Sequence, residues 1–259
     1  MATNTNTNTN IAERVGKLLA KAEDAAATPE EAQTFAAKAA ELIGKYNLDA
    51  ATLRHKEGKR PEPIKLLEFK VSGQGHHGKG RATLICTVAA AYGCQVCTLN
   101  NKLTGEDRWV MIVGPAATIK ALEILLPSIL RQAESNGMKA TREHMKALAG
   151  GFDTPANANI ERRKFFRSYL PGYGQGVADK IAASRRDMAA KVAGKPGELV
   201  LVSDAERTKA AFEKRFPDLR KGRADQHSAE GADAGRRDGR NADTGQTKVG
   251  GDKRAVTSK

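Results

Sequence analysis

Gly231, Gly235 and Gly239 recur at every fourth position in the segment AEGADAGRRDGR. On a helix these three positions form one bare stripe. Each glycine weakens a helix interior by about 1 kcal/mol relative to alanine. Such a helix persists only if another backbone presses close against the stripe. In membranes this spacing pairs helices, but Arg236, Arg237 and Asp238 exclude a span here. Gly172, Gly174 and Gly176 supply a second small surface able to face the first. Two readings stay open for 223–259: a helix packed through its glycines, or a solvated Gly/Arg-rich tail of low hydrophobicity.

Helix signals dominate the rest of the chain. Aromatic residues make up 5% of the sequence against 40% hydrophobic residues in all, so Ala, Leu and Val must build the interior, and helices are the expected means. Asn10 followed by Glu13 reads as a capping box, and Ile11, Val15, Leu18, Leu19 and Ala22 follow at helical spacing. Thr28-Pro29-Glu30-Glu31 starts a second helix, with Phe35, Ala39, Leu42, Ile43 and Tyr46 on one face. Residues 1–10 read as a disordered tail and 11–55 as a helical module. KEGKRPEP, 56–63, reads as a linker.

A mixed α/β unit is expected over 62–148. LLEFKV alternates as a strand does, ATLICTVAAAY reads as a helix stopped by Gly93, and CQVCTL and RWVMIVG form a hairpin. Thr118 to about Lys146 reads as helix, kinked or divided by Pro127. GGFDTPANAN marks a boundary. A helical region follows over 160–222, with ERRKFFRSYL and GVADKIAASRRDMAAKVA as helices and LVLV, 199–202, as one short strand. The fold class is α+β, mostly helical.

The stretch IAERVGKLLAKAEDAAATPEEAQTFAAKAAELIGKYNLDAATL resembles the module called domain of unknown function 2786, found in bacterial and phage proteins. KLLAKAED at 17–24, TPEEA at 28–32 and AAELIGKYNLD at 39–49 carry the resemblance. FFRSYLPGYGQGVADKI, ELVLVSDAE, KRFPDLR and the spaced glycines after 230 resemble sequences that follow it in longer members, which extends the resemblance over most of the chain. It implies no established activity; it implies a cytoplasmic accessory protein of phage or bacterial origin.

The charge balance points to polyanions. The chain carries 43 Lys and Arg against 30 Asp and Glu, a formal net charge of +13, and a surplus of this size favours nucleic acid first and membrane surfaces second. The densest basic stretch is ERRKFFRSYLPGYG, 161–174. There Arg162, Arg163, Lys164 and Arg167 interleave with Phe165, Phe166, Tyr169 and Tyr173, a composition suited to phosphate contact with base stacking. The competing reading puts the aromatics, Phe166 and Tyr169 first, in the core and leaves the arginines to touch phosphate.

GQGHHGKG, 73–80, satisfies the spacing of a phosphate loop, with Lys79 as its lysine. Gly80 stands where the magnesium-holding Ser or Thr belongs, Asp204 is distant as a Walker B aspartate, and no acidic residue follows at the dinucleotide distance. A flexible, mildly basic loop is the preferred reading. Cys94 and Cys97 form C-x-x-C near Cys86, His76 and His77, but no second pair exists for zinc. On a strand the two thiols would point to opposite faces. Three cysteines are no disulfide framework, and no apolar run reaches the length of a membrane span.

No G-x-S-x-G, H-E-x-x-H or paired-carboxylate motif occurs, so no catalytic residue, metal site or cofactor is assigned. The sequence reads as a non-enzymatic, cytoplasmic, nucleic-acid-associated accessory protein that contacts DNA or RNA through Arg162, Arg163, Lys164, Arg167, Lys79, Arg236 and Arg237. The alternatives are a module that binds a host or phage protein, and a nucleotide- or zinc-dependent enzyme.

Overall fold

The computed structural model describes residues 61–72, 75–100, 108–149, 157–192, 196–220 and 228–241, together with Lys17 and Lys21. The tail at 1–10, the helical module at 11–55 apart from those two lysines, and the stretches 221–227 and 242–259 lie outside the described residues.

The described elements run β1 (Ile64–Val71), α1 (Gly75–Ala91), β2 (Gln95–Asn100), β3 (Arg108–Pro115), α2 (Ala116–Ala149), α3 (Ala158–Val192), α4 (Pro196–Arg215) and α5 (Ala229–Asn241). The three strands form one antiparallel sheet in the order β1-β3-β2. Helices with a small antiparallel sheet make a mostly helical α+β fold, as the sequence predicts.

The alternation of side chains along a strand divides the sheet into two faces. Leu67 lies opposite Ile112 and Phe69 opposite Val110, while Val96 also lies opposite Ile112. These residues join the main core with Leu84, Ile85 and Val88 of α1 and Leu122, Leu125 and Leu126 of α2. Met111 and Val113 of β3 are also buried, although the pleat turns them to the other face. That face is covered by α4, which touches all three strands.

Two short devices fix α2 and α4 to this sheet. A helix start leaves its first backbone N–H groups without acceptors. The N–H of Ala116 donates to the Pro63 carbonyl at 3.0 Å, and that of Ala117 donates to the Glu62 carboxylate. The Glu62 carbonyl in turn accepts from Arg207 of α4 at 2.8 Å. The supposed linker therefore ends in a fastening: Glu62 and Pro63 bind α2 and α4 to the start of β1, and residues 56–60 lie outside the described residues.

Several expectations are corrected. LVLV, 199–202, is helix and not strand, within α4. Four apolar residues specify no period by themselves; Pro196 at the first helical position starts the helix, and SDAERTKAAFEKR carries it on. The glycine-rich stretch is helical from Gly75 onward, so it is no flexible loop. Pro127 does not divide α2, which runs unbroken from Ala116 to Ala149. ERRKFFRSYL and GVADKIAASRRDMAAKV are one helix, α3, with Pro171 inside it.

α3 tolerates that proline because neighbours enclose it. Pro171 has no N–H for the carbonyl four residues back, that of Arg167. The Arg167 carbonyl faces Gly80 of α1, where a Cβ would lie 3.3 Å from it. At the far end of α1, Gly93 takes a φ of +83°, the left-handed conformation that stops a helix. Arg185 of α3 donates to the terminal Ala91 carbonyl at 2.8 Å, a cation placed at a helix C-terminus.

The bare stripe of α5 is packed. A Cβ on Gly231, Gly235 or Gly239 would lie closer than 3.0 Å to the carbonyl oxygen of Phe165, Tyr169 or Tyr173 respectively. From the other side, Gly172 meets the Ala232 carbonyl and Gly176 that of Arg236. Both sets of numbers rise together, so α5 runs parallel to α3. Gly174 faces Leu84 of α1 instead, so two of the three candidate glycines on α3 serve this contact.

Candidate nucleic-acid interface

The seven basic residues singled out in the sequence fall on three helices. Arg162, Arg163 and Lys164 occupy the first turns of α3 and are exposed. This helix begins at Ala158, where the Asn157 carbonyl accepts the N–H groups of Ile160 and Glu161 at 2.8 and 3.0 Å. Lys164 pairs with Glu161 at 3.6 Å, an exposed i,i+3 pair of the kind that contributes little. Among the described residues, Arg162 and Arg163 meet no carboxylate.

Arg167 lies one turn after Arg163, on the same row of the helix, and is half-buried. The contact between Gly80 and the Arg167 carbonyl brings Lys79 of α1 alongside this turn. Arg81, next in the chain, is neutralised: it binds the Glu134 carboxylate and donates to the Ser72 carbonyl at 2.9 Å. Lys79 thus sits on the turn of α1 that crosses α3 at Arg167, and Arg163 lies one turn earlier on α3.

The α5 arginines lie elsewhere. Gly176 meets the Arg236 carbonyl and Gly235 meets Tyr169. Eleven residues from Arg162 to Tyr173 at 1.5 Å each put this level about 16 Å along α3. Arg236 binds Asp179 at 2.9 Å, and Arg240 binds the same carboxylate at 3.1 Å. Gln175 donates to the other oxygen of Asp179 at 3.0 Å. Burial pushes the Asp179 pKa up, but the hydrogen bonds from Arg236, Gln175 and Arg240 outweigh it and hold the group below its ordinary value. Arg237 is exposed, and the helical period turns it away from the glycine stripe. The sequence names Arg236 and Arg237; the structure pairs Arg236 with Arg240. The i,i+4 spacing, one step from the glycine row, is the sequence signal for that pair.

The aromatic residues do not share the surface. Phe165, Tyr169 and Tyr173 are buried, and Phe166 packs at the edge of the same core. Phe165 stacks on His144 of α2 with ring centroids 4.3 Å apart. Gly137 of α2 leaves room for the rings of Phe166 and Tyr169. The Tyr169 hydroxyl donates to Asp238 of α5 at 2.6 Å. Burial, and then this carboxylate, hold the Tyr169 pKa well above its ordinary value. The buried rings of Phe165, Tyr169 and Tyr173 offer no face to a base, so these aromatics belong to the core and the cations beside them to the surface.

The other two candidate sites change character. A phosphate loop needs its chain to curl around the anion before the helix starts, yet Gly78, Lys79 and Gly80 are already in α1. Gly78 and Gly80 are buried, which fits close helix packing. Asp204 is no strand-end Walker B aspartate: it is buried within α4 and paired with Arg207 at 3.0 Å. Cys94 joins the main core, where Gly114 leaves space for its sulfur, while Cys97 lies opposite Met111, on the other face. Burial pushes the Cys86 and Cys94 thiols up to about 12, which keeps them protonated and poor as ligands or nucleophiles at neutral pH. Among the described residues no three His, Cys, Asp or Glu gather as a metal site, and no helix is long and apolar enough to cross a membrane. The side chains of His76 and His77 lie outside the described residues.

A family model described as Protein of unknown function (DUF2786) matches residues 10–50. This is a small part of the chain, so the resemblance drawn above for the segments after 165 has no support from it. Of the matched stretch, only Lys17 and Lys21 are described; both are helical and exposed. No curated protein and no solved structure matches the chain.

Proposed function

We propose that this chain is a non-enzymatic, nucleic-acid-associated accessory protein, of phage or bacterial origin and acting in the cytoplasm, that grips the phosphodiester backbone of DNA or RNA. The observation that supports it is the cationic corner formed by Arg162 and Arg163, exposed and without carboxylate partners among the described residues, beside Lys79 and Arg167. Buried Phe165, Tyr169 and Tyr173 remove the stacking platform from that corner. Recognition there is of charge and backbone, not of bases. The net charge of +13 supplies the long-range attraction.

The test is oligonucleotide binding by fluorescence anisotropy over a salt series. Binding should weaken steeply with salt and depend little on base sequence. Arg162→Gln with Arg163→Gln should lower the slope of log K against log salt by about 1.4 to 1.8, at 0.7 to 0.9 per phosphate contact removed. Absence of a complex at low salt, or a slope unchanged in the double variant, overturns the reading.

A further inference from the structure

We infer that Arg236 and Arg240 form a second phosphate fork, closed in the free chain by the carboxylate of Asp179. The inference rests on the reading of this protein as one that contacts nucleic-acid phosphate, and it adds a site with its own gate.

Four nitrogen atoms converge on one oxygen. Nε and a terminal nitrogen of Arg236 lie 2.9 Å from Asp179 Oδ2, and Nε and a terminal nitrogen of Arg240 lie 3.1 Å from the same atom. The second oxygen, Oδ1, is taken by Gln175. A carboxylate oxygen offers about two lone-pair directions, so this acceptor is oversubscribed. Two guanidinium charges meet one carboxylate charge, which leaves a formal positive charge at the spot. A phosphate presents several acceptor oxygens and suits paired guanidinium forks better.

The geometry also permits exchange. The side chains of Arg236 and Arg240 are 47% and 56% exposed, and that of Asp179 is 26% exposed. An incoming phosphate reaches the arginines without opening the core. α5 is seated by its glycines on the carbonyls of α3 and by the Tyr169–Asp238 hydrogen bond, which are independent of Asp179. The fork keeps its rigid base while its anion changes. Its partner is a phosphate group, either the phosphodiester of a nucleic acid or a free polyphosphate.

The experiment uses the full chain, a labelled oligonucleotide at low salt and, in a separate arm, inorganic tripolyphosphate by calorimetry. Asp179→Asn removes the internal competitor and should tighten binding about two- to fivefold, the worth of an exposed ion pair. Glu213→Gln removes the same charge from a distant exposed pair, Glu213 with Lys209, and should change affinity less. Adding Arg236→Gln and Arg240→Gln to Asp179→Asn should abolish the gain. Arg236→Lys with Arg240→Lys in the same background keeps the charge and should abolish most of it. Hydrogen exchange over Ala229–Asn241 reports whether α5 stays seated in each variant. A gain no larger than that of Glu213→Gln, or one that survives loss of both arginines, overturns the fork. If Arg162 and Arg163 variants weaken oligonucleotide binding while the Asp179 series is flat, the α3 corner stands and the fork falls. If only tripolyphosphate binds, and binds Asp179→Asn more tightly, the fork stands and the nucleic-acid reading falls. If neither probe binds any variant, both fall.

Discussion

A methyl group at position 235 has no room, because it would lie closer than 3.0 Å to the Tyr169 carbonyl. Both sides of that contact are backbone, and backbone in two helices cannot give way as a side chain can. Gly235→Ala should therefore cost about 1–3 kcal/mol by overpacking, read as a lower denaturant midpoint with lost exchange protection over α5. Gly80→Ala, where the nearest atom is 3.3 Å away, should cost less. Asp179 makes a pH-dependent contribution with a definite sign. Its folded pKa is depressed below the ordinary 3.8, so the stability it supplies is present above that value and is lost as the pH falls through the lower folded value. Thermal melts below pH 4 should show the wild type losing more stability than Asp179→Asn; parallel profiles would mean that the Arg236 and Arg240 contacts to Asp179 contribute nothing to stability. The glycine stripe was legible in the sequence because a four-residue period is local. The Asp179 contact was not, because 61 residues separate it from Arg240, and nothing local signals such a meeting.

α4 shows how a helix with polar groups on its inner face is held across a sheet. Its inner positions include buried Asp204 and Thr208. Arg207 joins Asp204 at 3.0 Å and the Glu62 carbonyl at 2.8 Å, so one side chain satisfies a buried carboxylate and ties the helix to β1. Arg207→Met removes both the charged hydrogen bond to Asp204 and the one to the Glu62 carbonyl and should cost about 1–3 kcal/mol, the range for a hydrogen bond to a charged group. Thiol labelling gives a specific readout. Cys97 lies on the sheet face under α4 and should react faster in this variant, with Cys86 and Cys94 unchanged; equal acceleration of all three would mean global unfolding instead. The strand reading of 199–202 failed because Val and Leu runs satisfy both periods when short. Pro196, at the first helical position, is the local signal that decides between them. The glycine-rich loop failed for a related reason: Gly80 marks close approach to α3, a partner some 87 residues away in the chain (Gly80 to Arg167) that sequence reading has no means to place.

For the whole molecule, surplus charge is distributed rather than cancelled. Arg81, Arg207, Arg236 and Arg240 are tied to carboxylates, whereas Arg162 and Arg163 are not among the described residues. The cations that the sequence grouped by composition therefore divide into those that already hold a carboxylate, Arg236 among them, and those that hold none among the described residues, Arg162 and Arg163. Adding Lys164→Gln to the Arg162→Gln, Arg163→Gln variant should weaken oligonucleotide binding further with no shift in the melting midpoint, since exposed pairs contribute little to stability. A large shift would assign these residues to the fold instead. The parallel seating of α5 on α3 has one more consequence. A helix that follows its partner in the same direction can join it only after the chain has travelled back along the partner's length, with α4 laid on the opposite face of the sheet. Tyr169 and Asp238, 69 residues apart, meet only when that return is complete. Loop closure of this length is slow relative to local helix formation, so α5 should be the last element to acquire protection during refolding and the first to lose it when the chain is pulled from its C-terminal end.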